Sequence, residues 1–172
     1  MPTPKYARRE HERRFLVRTP PAEIAGAAYV RITDRYIDAS RLRLRAMRPS
    51  ADGATMFKFC KKYGSEDAMS EPIVNIYLSK AEHTLLAALP GRTIVKRRYH
   101  VDWDGLRHAI DIYEGELSGL VIGEIEAPSV AELRSCAVPP WATAEITGDA
   151  WFEGGNLAAI TTQQLKSRLA AP

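Results

Sequence analysis

The sequence predicts a mainly β (α+β) protein: an antiparallel sheet or barrel of about eight strands with peripheral helices. Three observations carry this. Short runs of alternating residues recur along the chain. Clusters of Gly, Pro and Asp ("RPSADGAT", "YGSED", "DWDG", "YEGELSG") separate them at hairpin length. Helical periodicity is confined to a few short segments. At 172 residues the chain suits one domain, 1–172, with a full-sized core.

The strand-like runs fall at about 9–17, 29–37, 41–48, 55–63, 72–78, 92–103, 107–114 and 119–127. "TPPAEIAGA" reads as a short helix with Thr19 as N-cap and prolines in the first turn. "SKAEHTLLAALPG" starts at Ser79, places Glu82 at the capping-box position and stops at Pro90–Gly91. "SVAEL" repeats that box with Ser129 and Glu132. "NLAAITTQQLKSRLA" closes the chain as a helix over about 156–169, with Leu157, Ile160 and Leu165 on one stripe. That helix is open to three placements: over a barrel end or side, as a plug, or as a homodimer contact.

The 24 basic and 21 acidic side chains leave a net charge of only +3. A general nucleic-acid binder needs a basic stripe and few acids, so no nucleic-acid partner is expected. Arg is favoured over Lys, which suits bidentate contacts to phosphate or carboxylate. Cys60 and Cys136 are far apart and form no metal spacing, and a reduced, cytoplasmic setting is expected. The start "MPTPKYARRE" is polar, unlike a signal peptide. No apolar run approaches the ~20 residues of a membrane span.

Residues two apart in a strand share a face. "EHERRF" therefore aligns Glu10, Glu12 and Arg14; "RLRLR" aligns Arg41, Arg43 and Arg45; "FKFCKK" aligns Lys58, Cys60 and Lys62. "VKRRYHV" aligns Lys96 and Arg98, "AIDIY" sets Asp111 between two isoleucines, and "GEIEA" aligns Glu124 and Glu126. One such strand reads as the solvated face of a one-sided sheet. Six strands whose charges come in blocks of one sign need opposite-sign neighbours or a ligand. Closing the sheet with these faces inward brings the rows together, with Leu- and Ile-rich outer faces partly covered by helices. Buried charges must be paired or bind ions. Interior Arg and Lys suit a polyanion, and interior glutamates suit a hard divalent cation.

His11, His83, His100 and His108 share no ligand spacing and read as non-catalytic. Cys60 has the charged face's parity but no paired His, and reads as a small filler. Trp103, Trp141 and Trp151 read as packing or lid residues.

The same motifs resemble the CYTH, or triphosphate tunnel metalloenzyme, superfamily. "EHERRFLV" is similar to its E-x-E-x-K signature, "ITDRYI" to its second strand, "RLRLR" to its R-x-R strand, and "VKRRYHV" to its K-x-R strand. "FKFCKKYG" falls where the family has a lysine strand. "IDIYEGELSGLVIGEIEAPS" is the closest match, and "WATAEITGDAWFEGGNLA" resembles the C-terminal segment. The likeness runs from about residue 8 to residue 158.

The resemblance implies an eight-stranded antiparallel closed barrel, a triphosphate tunnel, that binds a triphosphate-containing small molecule with Mg²⁺ or Mn²⁺. Arg43, Arg45, Lys58, Lys62, Lys96 and Arg98 are then expected on the phosphate oxygens. Glu10, Glu12, Glu124 and Glu126 are the expected metal ligands, with Asp111 as a further ligand or a water-orienting group. Arg14 is expected to bind the terminal phosphate or to hold Glu10 or Glu12. Lys62, Arg14 and Asp111 are the expected catalytic groups.

Hydrolysis of inorganic triphosphate is the simplest activity. Thiamine triphosphatase, class IV adenylate cyclase, and a polyphosphate-binding module with little turnover are the alternatives. The chain departs from the family at Arg14, where lysine is usual and where Arg does not readily accept a proton. It also has Ala109, Asn75 and Tyr77 where acids are frequent, which leaves fewer ligands for a second metal.

Overall fold

The computed structural model describes residues 4–170; the outermost residues of the expected domain, 1–3 and 171–172, lie outside the described residues. Nine antiparallel strands follow the chain: β1 (Arg8–Val17), β2 (Val30–Ile37), β3 (Leu42–Pro49), β4 (Met56–Lys62), β5 (Ser70–Leu78), β6 (Gly91–Trp103), β7 (Leu106–Tyr113), β8 (Val121–Glu126) and β9 (Ala142–Glu145). Their order is β5-β4-β3-β2-β6-β7-β8-β1-β9, and a further β5–β1 pairing closes the first eight into a barrel.

β1 makes the closure possible. One edge pairs with β8 from Glu12↔Glu126 to Leu16↔Ile122. The other edge pairs first with β5, Arg8↔Ile73 to His11↔Ser70, and then with β9 from Phe15↔Glu145. The short β9 thus covers the length of β1 that β5 leaves unpaired, where an open edge would expose backbone donors and acceptors. Four residues are too few for alternation to announce a strand, which is why β9 is absent from the expected set.

The outward apolar residues form a core between the barrel wall and its peripheral segments. Phe15, Val17, Tyr99, Val101, Ile110 and Ile125 pack with Leu133 of α2 (Val130–Ser135) and with Trp141. Gly123 is required here, because a Cβ on it would lie 2.1 Å from the Trp141 ring. A second core joins Ile94, Tyr113 and Ile122 of the barrel to Leu117, Leu120, Ile146, Phe152, Leu157 and Leu165. Ile94, Tyr113 and Ile122 share strand parity with Lys96, Asp111 and Glu124, so this second core fills one end of the interior.

The helices differ from expectation in three places. The segment after Thr19 makes only a 3₁₀ turn, Ala22–Ile24, preceded by Pro21 with no side-chain cap. Only Ile24 of that turn is buried, so little packing supports a longer helix. The helix α1 (Lys80–Leu86) has the full capping box of Ser79 and Glu82. At α2, Ser129 Oγ accepts from the Glu132 N–H, but the Glu132 carboxylate takes the Ser129 hydroxyl instead of its backbone N–H, so the box is half formed.

The expected helix over 156–169 is two helices, α3 (Gly154–Leu157) and α4 (Thr162–Ala170). Thr161 and Gln164 restart it as a second capping box: Thr161 N–H donates to Gln164 Oε1 at 2.8 Å, and Gln164 N–H to Thr161 Oγ1 at 3.3 Å. The segment packs at the barrel end, where Leu157 and Leu165 are buried. Among the described residues, no helix is long and apolar enough to cross a membrane.

Candidate active site

The charged alternation faces inward. The residues lining a cavity of about 560 Å³ in the barrel include Glu10, Glu12, Arg14, Arg43, Arg45, Lys62, Lys96, Arg98, Glu124 and Glu126. All ten are residues singled out by sequence. Two others are not on its wall. Lys58 lies over the exposed Tyr77 ring, its Nζ 5.0 Å from the centroid. Parity assigns its face but not its depth, and β4 runs past the cavity. Asp111 is 0% exposed and sits behind Lys96 and Arg98. Enclosed there, it braces two cations and does not line the cavity.

That bracing is a repeated device. Asp111 accepts two hydrogen bonds from Arg98, at 2.7 and 2.6 Å, and one from Lys96. Asp34, on β2, receives a fork from Arg45 at 2.6 and 2.7 Å and has Arg43 Nε 3.7 Å away. Burial opposes the charge on both aspartates, yet the neighbouring cations hold their carboxyls well below the ordinary range. Burial pushes the Lys96 ammonium down, with Asp111 opposing. Asp34 escapes attention in the sequence, although "ITDRYI" places it on the same face as Tyr36.

Lys62 lies between two acids, 3.5 Å from Glu12 and 3.2 Å from Glu71. Burial works against its charge, but those two carboxylates raise it above the ordinary lysine value. Glu71 is an inward acid of the fifth strand, four residues before Asn75 and with the same parity; the signal is present in "SEPIVNIY".

Arg14 is buried, and its guanidinium has three acceptors. Nη2 donates to the Phe152 carbonyl at 3.0 Å, Nη1 faces Glu153 at 3.5 Å, and Nε lies 3.7 Å from Glu124. It therefore holds Glu124 and the C-terminal segment, where the sequence suggested the terminal phosphate or, as a brace, Glu10 or Glu12. A lysine ammonium is a compact point charge without this planar fork. Glu153 carries no sequence signal, because it lies outside any strand alternation.

Glu12, Glu124 and Glu126 bring carboxylate oxygens within 4.8 Å of one another. Burial would raise Glu124, but Arg98 and Lys96 hold it low. Glu126 is pushed up by burial and by repulsion from Glu124, Glu10 and Glu12. Such crowding is relieved by a cation. On the opposite charge sign, Arg43 Nε is buried 3.7 Å from Asp34, an ion pair too long for a hydrogen bond.

No family model matches the chain. It is 31% identical over 156 residues to an inorganic triphosphatase of Nitrosomonas europaea, covering 87% of this chain and 96% of that protein. It is 39% identical over 64 residues to an inorganic triphosphatase of Acetivibrio thermocellus, covering 37% of this chain and 40% of that protein. A solved structure of an inorganic triphosphatase superposes with a TM-score of 0.58 at 25% identity, covering 87% of this chain and 93% of that chain. A Pyrococcus horikoshii protein shares the fold, with a TM-score of 0.50 at 17% identity over 73% of this chain and 82% of that chain.

Proposed function

The chain belongs to the CYTH, or triphosphate tunnel metalloenzyme, superfamily, and we propose that it hydrolyses inorganic triphosphate with a divalent cation inside the barrel. One observation carries this reading. A single cavity joins cations braced from behind by buried aspartates to three carboxylates crowded within 4.8 Å. The first set suits the oxygens of a phosphate chain, the second a hard cation.

Arg43, Arg45, Lys96 and Arg98 bind phosphate oxygens, and Asp34 and Asp111 keep those side chains extended into the cavity. Preorganised charge of this kind is most of what phosphoryl transfer asks of a protein. Lys62, held by Glu12 and Glu71, adds a donor beside the carboxylates. Water attacks the terminal phosphorus, the bridging P–O bond breaks, and the products are phosphate and pyrophosphate.

The all-oxygen set of Glu12, Glu124 and Glu126 fits Mg²⁺ or Mn²⁺, with Glu10 on the same wall. A bound cation supplies charge neutralisation at phosphate oxygens and acidifies a coordinated water. Cys60 and Cys136 are free thiols, in keeping with a reducing, cytoplasmic setting.

The test is to incubate the protein with triphosphate, ATP or thiamine triphosphate and either metal, and to measure phosphate and cyclic AMP. Phosphate release from triphosphate that disappears in Glu12→Ala is the expected result. Tight binding of triphosphate without release from any substrate would contradict it.

A further inference from the structure

We propose that the strap formed by residues 149–157 limits the length of phosphate chain the cavity accepts, and that Glu153 is the charge that turns a longer chain away. The inference rests on the reading of the cavity as a triphosphate site. The strap belongs to no barrel strand, yet Ala150, Glu153, Gly154 and Asn156 line the cavity.

Its position is fixed from several sides. Arg14 donates to the Phe152 carbonyl at 3.0 Å. The Asp149 side chain accepts from the Trp151 N–H at 2.9 Å. Phe152 and Leu157 are buried in the core that fills the barrel end. Gly154 lies so close under the Tyr36 hydroxyl that a Cβ would stand 1.8 Å from its oxygen. A wall built this way does not yield readily to a longer ligand.

Charge makes the wall selective. A cavity whose other contacts to phosphate are cationic gains attraction with each added phosphoryl group, so attraction alone cannot favour three over four. Discrimination needs a repulsive element. Glu153 supplies one, with its side chain 47% exposed and 3.5 Å from Arg14. Arg14 is shared with Glu124 at 3.7 Å, so one cation faces two carboxylates. The field of Glu153 also reaches Lys62. A fourth phosphoryl group extending toward this end meets a negative charge on a fixed support.

The experiment measures kcat/KM for inorganic triphosphate and tetraphosphate in the wild type, Glu153→Gln and Glu153→Asp. The tetraphosphate-to-triphosphate ratio is expected to rise about tenfold or more in Glu153→Gln, as removal of a like-charge contact implies, and to stay at the wild-type value in Glu153→Asp. An unchanged ratio in Glu153→Gln overturns the proposal. So does an equal fall for both substrates, which would make Glu153 only a support for Arg14. Calorimetric binding of both phosphates in chelator, without turnover, separates this inference from the proposed activity. A triphosphate preference lost in Glu153→Gln upholds length selection even if the wild type hydrolyses neither. No preference in the wild type overturns length selection even if hydrolysis is fast.

Discussion

Asp34 and Asp111 lie behind the cations of the tunnel, whereas Glu10, Glu12 and Glu126 lie in front of them on the cavity wall. Both groups are carboxylates inside one barrel, and their surroundings treat them oppositely. The aspartates are fully enclosed and matched by Lys96, Arg98, Arg43 and Arg45, which hold them ionised. Glu126 is crowded by other acids and is pushed up. Side-chain length contributes to the division. A short Asp keeps its charge near the strand, and the long Arg and Lys side chains reach past it toward the centre. Under the proposed function, the difference teaches that the barrel uses acids for two tasks: to aim the phosphate-binding cations and to gather a metal.

The contrast can be broken first at the buried side. Asp111→Asn leaves buried Lys96 without its ion-pair partner and Arg98 with Glu124 alone. Removing one partner of a buried ionic set costs about 3–5 kcal/mol, and urea unfolding is expected to show a loss of that size. The cavity-wall side is expected to behave in reverse. Glu12→Ala should cut phosphate release about 100- to 1,000-fold, the scale for loss of a preorganised electrostatic group, while its unfolding midpoint stays near the wild type. If Glu12→Ala unfolds and Asp111→Asn does not, the two roles have been assigned the wrong way round.

Acid sharpens the same distinction. The folded-state values of Asp34 and Asp111 are depressed, so their stabilisation is complete above the ordinary aspartate range and is lost as pH falls below it. Glu126 is raised, so it takes up a proton above the ordinary glutamate range and then ceases to attract a cation. Metal activation is therefore expected to weaken on acidification before the fold does; parallel activity and thermal-melt series from neutral to acid pH check this. The smallest effect is Glu126→Gln, which removes the crowding and should shift stability upward by no more than about 1 kcal/mol, measured by thermal melting, while weakening metal activation.

Much of this division is legible in the sequence, and the illegible part has physical reasons. Alternation locates the eight barrel strands and the face of nearly every charged side chain, because a one-residue shift would turn each row outward. It does not report depth, so Lys58 reads as a cavity residue and the enclosure of Asp111 behind two cations goes unseen. Asp34 and Glu71 carry the right parity but stand alone in their strands, without the repeated charge that draws notice to "RLRLR" or "GEIEA". Glu153 and β9 depend on where the chain returns after leaving the barrel, which no local pattern encodes. Arg14 shows the gain from structure most clearly. In the sequence it is a departure from lysine; in the fold it is a fork joining Glu124 to the C-terminal strap.

The central claim is that the carboxylates on the cavity wall gather a divalent cation for hydrolysis of triphosphate in this cavity. Phosphate release from inorganic triphosphate, measured against Mg²⁺ or Mn²⁺ concentration in the wild type and Glu126→Gln, tests it most directly. The expected result is no release in chelator, saturable activation by metal in the wild type, and a midpoint displaced to higher metal concentration in Glu126→Gln. Release that persists in chelator, or a midpoint that Glu126→Gln leaves in place, would contradict the claim.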